Sequence, residues 1–118
     1  DPAHFADGEQ KRDFVYVKDV VRMITAFLQS DATGLYNIGS GRASSWNQLA
    51  RAVGLAMKKE PVIEYVDMPA DLVGKYQNYS CADLSKTVAA IGKAAESLSL
   101  EKAVQDYVQN YLLLGKKW

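Results

Sequence analysis

The sequence predicts a mixed α+β chain, and three features carry that expectation. Residues 13–17, Asp-Phe-Val-Tyr-Val, are rich in aromatic and β-branched types that fill a pleated, half-buried surface. After Asp19, apolar residues recur every three to four positions, the signature of an amphipathic helix. The same spacing returns at Leu100, Ala103, Val104, Tyr107, Val108, Tyr111 and Leu112, which share one helical face.

In order, residues 1–11 carry Pro2, Asp7, Gly8 and several charges and read as a loop, before a strand over residues 13–17. Asp19 is a suitable N-cap for a helix reaching about Gln29. Residues 35–39 form a brief apolar run closed by glycine and are expected to be a buried strand, with Gly39-Ser40-Gly41 as a tight loop. Ser44 or Ser45 caps the next helix, and Ser45 with Gln48 makes a capping box. Leu49, Val53, Ala56 and Met57 give that helix its buried stripe, and Pro61 ends it. Residues 62–66 have strand composition, Pro69 and Asp71 open a turn before Gly74, and residues 77–81 suggest a short strand. Asp83 caps a helix to about Ile91, and Ser99 caps the last one.

With 118 residues the chain has the length of one domain, enough to bury roughly two-thirds of its unfolded surface. Fourteen basic and fourteen acidic residues balance, so no net field draws in nucleic acid or an anionic membrane, and an anion site has to be local. A single cysteine, Cys81, forms no internal disulfide, and no Cys/His cluster has zinc-ligand spacing; no metal and a cytoplasmic setting are expected. No apolar run has the length of a membrane span. The chain opens Asp1-Pro2-Ala3-His4 without an initiator methionine, and it is expected to be part of a longer polypeptide.

Nucleophilic triads need a histidine, and His4 stands alone beside the terminus, so triad chemistry is not expected. Asp67 and Asp71 are expected to be solvated, and Cys81 to be a small core residue. Gly39-Ser40-Gly41-Arg42 follows a predicted strand and precedes a capped helix, as phosphate loops do. It lacks the third glycine of G-x-G-x-x-G and the lysine of a P-loop, so an ordinary connection is the better reading, with Arg42 still able to reach a phosphate. Arg12 stands at a strand's mouth, where a guanidinium fork can meet a phosphate. Tyr76, flanked by Lys75 and Gln77, offers an aromatic wall with a hydroxyl, whereas Tyr65, Tyr107 and Tyr111 read as packing.

The run from Arg12 to Val21, then Gly34-Leu35-Tyr36-Asn37-Ile38-Gly39-Ser40-Gly41 and Ser45-Trp46-Asn47-Gln48-Leu49, resembles the C-terminal half of extended short-chain dehydrogenase/reductase sugar-nucleotide enzymes. Phe5-Ala6-Asp7-Gly8-Glu9-Gln10-Lys11-Arg12 and Leu72-Val73-Gly74-Lys75-Tyr76-Gln77 narrow this to a resemblance to the ADP-L-glycero-D-manno-heptose 6-epimerases. The resemblance implies an α/β parent, a Rossmann domain plus a small substrate lobe. Residues 1–118 would be its C-terminal substrate-binding part, with about 13–40 completing the dinucleotide-binding sheet. It implies that Arg12 and Tyr76 bind the ADP-sugar and that Phe5, Ala6, Asp7 and Gly8 line the same pocket.

It further implies inversion at C6'' of an ADP-heptose by oxidation and reduction, in the synthesis of lipopolysaccharide inner-core precursors. NADP would be bound, and the catalytic residues supplied, by polypeptide outside this chain, so that no catalytic residue falls within it and the chain alone would be inactive. A UDP-sugar 4-epimerase, a sugar-nucleotide dehydratase and a non-catalytic sugar-nucleotide-binding module are the competing readings. The parent is expected to be a homo-oligomer. The separate chain is expected to dimerise or swap a strand, because a strand and helix removed from a larger sheet leave unpaired backbone and an apolar face.

Overall fold

The computed structural model describes residues 5–116; Asp1, Pro2, Ala3 and His4, which entered the sequence reading, lie outside them. The fold is mixed α and β; the described residues form four α-helices and a two-stranded antiparallel sheet in chain order β1 (Lys11–Asp13), α1 (Val17–Leu28), β2 (Ala43–Ser45), α2 (Trp46–Ala56), α3 (Ser85–Ile91) and α4 (Leu100–Tyr107). A tight helical turn, Gly92–Ala95, follows α3, and a wide turn, Val108–Leu112, prolongs α4. β1 and β2 pair in the register Lys11 to Ser45, Arg12 to Ser44 and Asp13 to Ala43. α2 packs against α4, while α1 packs against α3 and the turn after it.

The molecule is a slab of 47 × 38 × 20 Å with a radius of gyration of 16.6 Å. A compact domain of this length would have a radius of about 13–14 Å. Its core is correspondingly thin: Tyr16, Met23, Ala52, Ala56, Ala95 and Val108 are the buried apolar residues among those described. Val21, Ile24 and Leu28 lie along an exposed side of α1, with Leu28 82% exposed.

The caps at Ser45 and Ser99 form as the sequence reads them. Ser45 Oγ accepts from the Gln48 amide at 3.2 Å while Gln48 Oε1 accepts from the Ser45 amide at 2.7 Å, completing the capping box. Ser99 caps α4 by accepting from the Lys102 amide. Asp83 does its capping one residue early, taking the Ser85 amide at 2.9 Å; the Ser85 hydroxyl and amide hold its carboxyl below the usual range.

The strands depart further. β1 begins and ends earlier than residues 13–17, because its partner β2 ends opposite Asp13 and the chain turns away to enter α1 at Val17. Asp19 is not the cap, a position held by Tyr16; it lies 1% exposed inside the first turn of α1. There it accepts from Arg22 Nη1 at 2.7 Å and from the Leu98 amide at 2.9 Å, tying α1 to the approach to α4. Residues 35–39 form no strand. Lys86 Nζ takes the carbonyl of Leu35 and the Thr87 hydroxyl that of Asn37, so α3 side chains occupy acceptors a ladder would use. Residues 62–66 have no ladder neighbour either, leaving Val62 97% exposed. Residues 77–81 reduce to one parallel bridge, Tyr79 with Lys11, made by Lys11 N donating to Asn78 O at 2.9 Å and Ser80 N donating to Lys11 O at 3.1 Å. Cys81 is exposed rather than core, on the rim of a shallow cleft of about 500 Å³ shared with Asp13 and Asn37.

Candidate functional site

The site is assembled on β1 and the first turn of α2. Strand geometry sends alternate side chains to the same side. Arg12 sits on β1, and Phe14 directly follows the strand's last residue. The Phe14 ring meets Trp46, the first residue of α2, edge-on at 5.1 Å between centroids and 74° between planes. The Arg12 guanidinium lies over the Tyr76 ring, 4.8 Å from its centroid, and Trp46 Nε1 donates to Tyr76 Oη at 3.0 Å. Arg12 and Tyr76, far apart in sequence, are thus neighbours, with Trp46 closing the group.

Arg12 spends one donor on the carbonyl of Lys11, Nη1 to O at 2.8 Å, and no described carboxylate forms an ion pair with it. A guanidinium carries five N–H donors in a planar fork, so most of its capacity stays available for an anion. A cation over an aromatic face next to a phenol can grip a phosphate oxygen with charge and a directed hydroxyl together.

The segment holding Phe5, Ala6, Asp7 and Gly8 is attached to the same helix through the next residue, Asn47. The turn closes on itself where Glu9 N donates to Ala6 O at 3.0 Å. Asn47 N donates to Gly8 O at 3.0 Å, and Asn47 Nδ2 donates to Asp7 O at 2.9 Å and Glu9 Oε1 at 2.6 Å. Gly8 has φ +71, and a Cβ placed there would lie 2.3 Å from Asn47 Oδ1, so only glycine lets loop and helix approach this closely. Tyr65 Oη donates to Asn47 Oδ1 at 2.9 Å, which anchors the otherwise unpaired segment 62–66; Tyr65 itself is half exposed rather than packed.

Sequence reasoning singled out Arg12, Tyr76 and the Phe5 to Gly8 loop, and missed Trp46, Asn47 and Phe14 as the parts that join them. The available signal was an indole and a side-chain amide at the very start of a capped helix, where an apolar stripe has no use for them. Asp67 and Asp71 are exposed. Arg42 is already engaged: Nη2 donates to the carbonyls of Ser97 and Leu98 at 3.0 and 2.7 Å and to Ser97 Oγ at 3.1 Å.

The glycine loop serves Asp13. Ser40 N, Ser40 Oγ, Gly41 N and Ala82 N all donate to that carboxylate. Burial raises the Asp13 pKa, but the Ser40 hydroxyl and the three amides outweigh it and hold the group below its ordinary value of 3.8. A Cβ on Gly39 would stand 2.7 Å from Asp13 Oδ2, so the cradle depends on glycine there. With its amides committed to a carboxylate, this loop does not fit a dinucleotide phosphate, and no other described segment has the glycine pattern for one.

Residues 2–39 match the NAD dependent epimerase/dehydratase family. The chain is 47% identical over 109 residues to an ADP-L-glycero-D-manno-heptose-6-epimerase of Nitratidesulfovibrio vulgaris, an alignment covering 92% of this chain and 33% of that protein. The crystal structure of the Helicobacter pylori ADP-L-glycero-D-manno-heptose-6-epimerase superimposes with a TM-score of 0.69 at 24% identity, over 87% of this chain and 29% of that one. The Thermotoga maritima UDP-glucose 4-epimerase with UDP-glucose superimposes with a TM-score of 0.71 at 30% identity, over 95% and 35%. The chain spans about a third of the length of the curated relatives it matches. It is homologous over that third to the ADP-L-glycero-D-manno-heptose-6-epimerases, and its match over residues 2–39 is to the NAD dependent epimerase/dehydratase family.

Proposed function

We propose that this chain is the C-terminal, substrate-gripping part of an ADP-L-glycero-D-manno-heptose 6-epimerase. The carrying observation is the placement of Arg12 over Tyr76 with most of its donors unspent, in a chain 47% identical to a protein of that name. Arg12 meets the diphosphate of the ADP-sugar, Tyr76 packs beside it and donates through its hydroxyl, and the Phe5 to Gly8 loop closes the pocket. Held by its diphosphate, the sugar keeps its reacting carbon within reach while the exocyclic carbon is inverted, a gain of orientation rather than of bond chemistry.

The redox step belongs to polypeptide outside residues 1–118, where NADP is held. Residues 13–40 complete the dinucleotide-binding sheet; the ladder-free backbone of residues 35–39 and the exposed apolar side of α1 support this. The complete enzyme is a cytoplasmic oligomer feeding lipopolysaccharide inner-core synthesis. No helix among the described residues is long and apolar enough to cross a membrane.

The test is substrate preference in the complete enzyme: conversion of an ADP-heptose is expected, and a clear preference for UDP-sugars would overturn the reading in favour of a UDP-sugar epimerase. Turnover by residues 1–118 alone, given NADP and substrate, would overturn the division of labour. Arg12→Ala should weaken ADP-sugar binding by about 1.5–3 kcal/mol, and Arg12→Lys should recover only part because an ammonium lacks the fork. Equal affinity in all three proteins would remove Arg12 from the site.

A further inference from the structure

Tyr76 stands on a segment of turns, where Lys75 N and Tyr76 N both donate to Leu72 O and no ladder fixes the backbone. Its side chain is therefore held by what touches it. Those contacts are the Arg12 guanidinium 4.8 Å from the ring centroid and the Trp46 Nε1–H on its oxygen at 3.0 Å. An indole nitrogen only donates, so Tyr76 Oη acts there as acceptor and its own hydrogen stays free to be given elsewhere. Phe14 backs Trp46 edge-on. Phe14 and Arg12 leave the same stretch of chain two residues apart, so the contacts run unbroken from Arg12 through Tyr76 and Trp46 to Phe14 and back to that stretch.

We infer that Trp46 is a positioning residue of the sugar-nucleotide site: by occupying the acceptor side of Tyr76 Oη it turns that hydroxyl into a dedicated donor, aimed with Arg12 at one diphosphate. This rests on the function proposed above and adds to it a residue that touches no substrate yet sets the direction of one that does. A cation on the ring and an N–H on the oxygen both draw electron density from the phenol, which strengthens it as a donor to an anionic oxygen. Without the indole N–H, Tyr76 Oη is free to rotate and to pair with water.

The experiment is a double-mutant cycle in the complete enzyme, reading ADP affinity by calorimetric titration of wild type, Trp46→Phe, Tyr76→Phe and the double variant. Trp46→Phe keeps the ring contact with Phe14 and deletes the donor; about five- to tenfold weaker ADP binding is expected, the equivalent of one lost hydrogen bond. Because Trp46 acts through the Tyr76 hydroxyl, the double variant should bind within about twofold of Tyr76→Phe alone, whereas independent structural damage would multiply the two losses. Unchanged affinity in Trp46→Phe, or multiplied losses in the double variant, overturns the inference while leaving the function intact. Failure of the wild-type enzyme to bind ADP overturns both. Should Trp46→Phe fold poorly, Trp46→His, which can still donate, is compared with Trp46→Leu: tighter ADP binding by the histidine variant is expected, and equal binding overturns the inference.

Discussion

Asp13 Oδ1 accepts two hydrogen bonds from Ser40, from its amide at 2.6 Å and its hydroxyl at 2.5 Å. Together with the amides of Gly41 and Ala82 on Oδ2, this fastens the loop before β2 and the segment after Tyr79 to the end of β1, next to Arg12. Asp13→Asn keeps the shape but removes the charge and turns N–H donors toward N–H donors. A loss of about 2 kcal/mol in chemical denaturation is expected, since hydrogen bonds to a charged group are among the stronger ones. The folded-state pKa is lowered, so this stability is present above about pH 4 and disappears as pH falls through the lowered value. The acid limb of the stability profile should be shallower in Asp13→Asn than in the wild type.

Tyr16 and Asp106 form a second junction, between the start of α1 and the last turn of α4. Tyr16 Oη donates to Asp106 Oδ2 at 2.5 Å, and Lys18 Nζ reaches the same oxygen at 2.7 Å. Burial, then the hydrogen bond and charge of Asp106, push the Tyr16 phenol up to about 12, while Lys18 and Tyr16 hold the Asp106 carboxyl down at about 2. The tyrosine's contribution is complete below its unfolded value of 10 and is lost as pH rises through about 12. That of Asp106 is present above 3.8 and is lost as pH falls toward about 2. Ultraviolet titration of Tyr16→Phe should show the missing late-ionising phenol, and its stability near neutrality should fall by about 1 kcal/mol. An unchanged high-pH limb would rule the junction out.

Gly8 and Asn47 decide whether the Phe5 to Gly8 loop stays on α2. Gly8→Ala places a methyl 2.3 Å from Asn47 Oδ1 at a positive φ, so loop or helix has to give. In the complete enzyme, ADP-sugar affinity should drop about tenfold, and Asn47→Ala, which removes the same fastening without a clash, should lower it similarly. Fluorescence-monitored titration of both variants checks this; wild-type affinity in both would detach the loop from the site.

The exposed side of α1 sets the behaviour of residues 1–118 in isolation. Val21 is 56% exposed, Ile24 46% and Leu28 82%, and Leu35 beyond the helix is 92% exposed. Such a stripe on a thin slab favours pairing with a second copy. Sedimentation should find the isolated chain dimeric at high concentration, and Ile24→Glu with Leu28→Lys should return it to monomer. A monodisperse wild-type monomer would contradict the expectation.

How much was legible in advance follows the range of the interactions. The sequence by itself determined the existence of the helices and their Ser45 and Ser99 caps, because a cap and an apolar stripe are made among residues three or four apart; the second helix ends at Ala56, ahead of the stop expected at Pro61. It also marked Arg12, Tyr76 and the Phe5 to Gly8 loop, through the order and types of residues around them. Tertiary structure alone decided which segments became strands, since a strand exists only where a neighbour supplies its ladder: the polar Lys11–Asp13 found Ala43–Ser45, while the apolar residues 35–39 and 62–66 met side chains or solvent. It alone turned Asp19 from a cap into a buried tie and brought Trp46 onto Tyr76 and Asn47 onto Gly8. Contacts between residues tens of positions apart leave no period or spacing in a sequence; they arise when packing brings distant segments to the same helix turn.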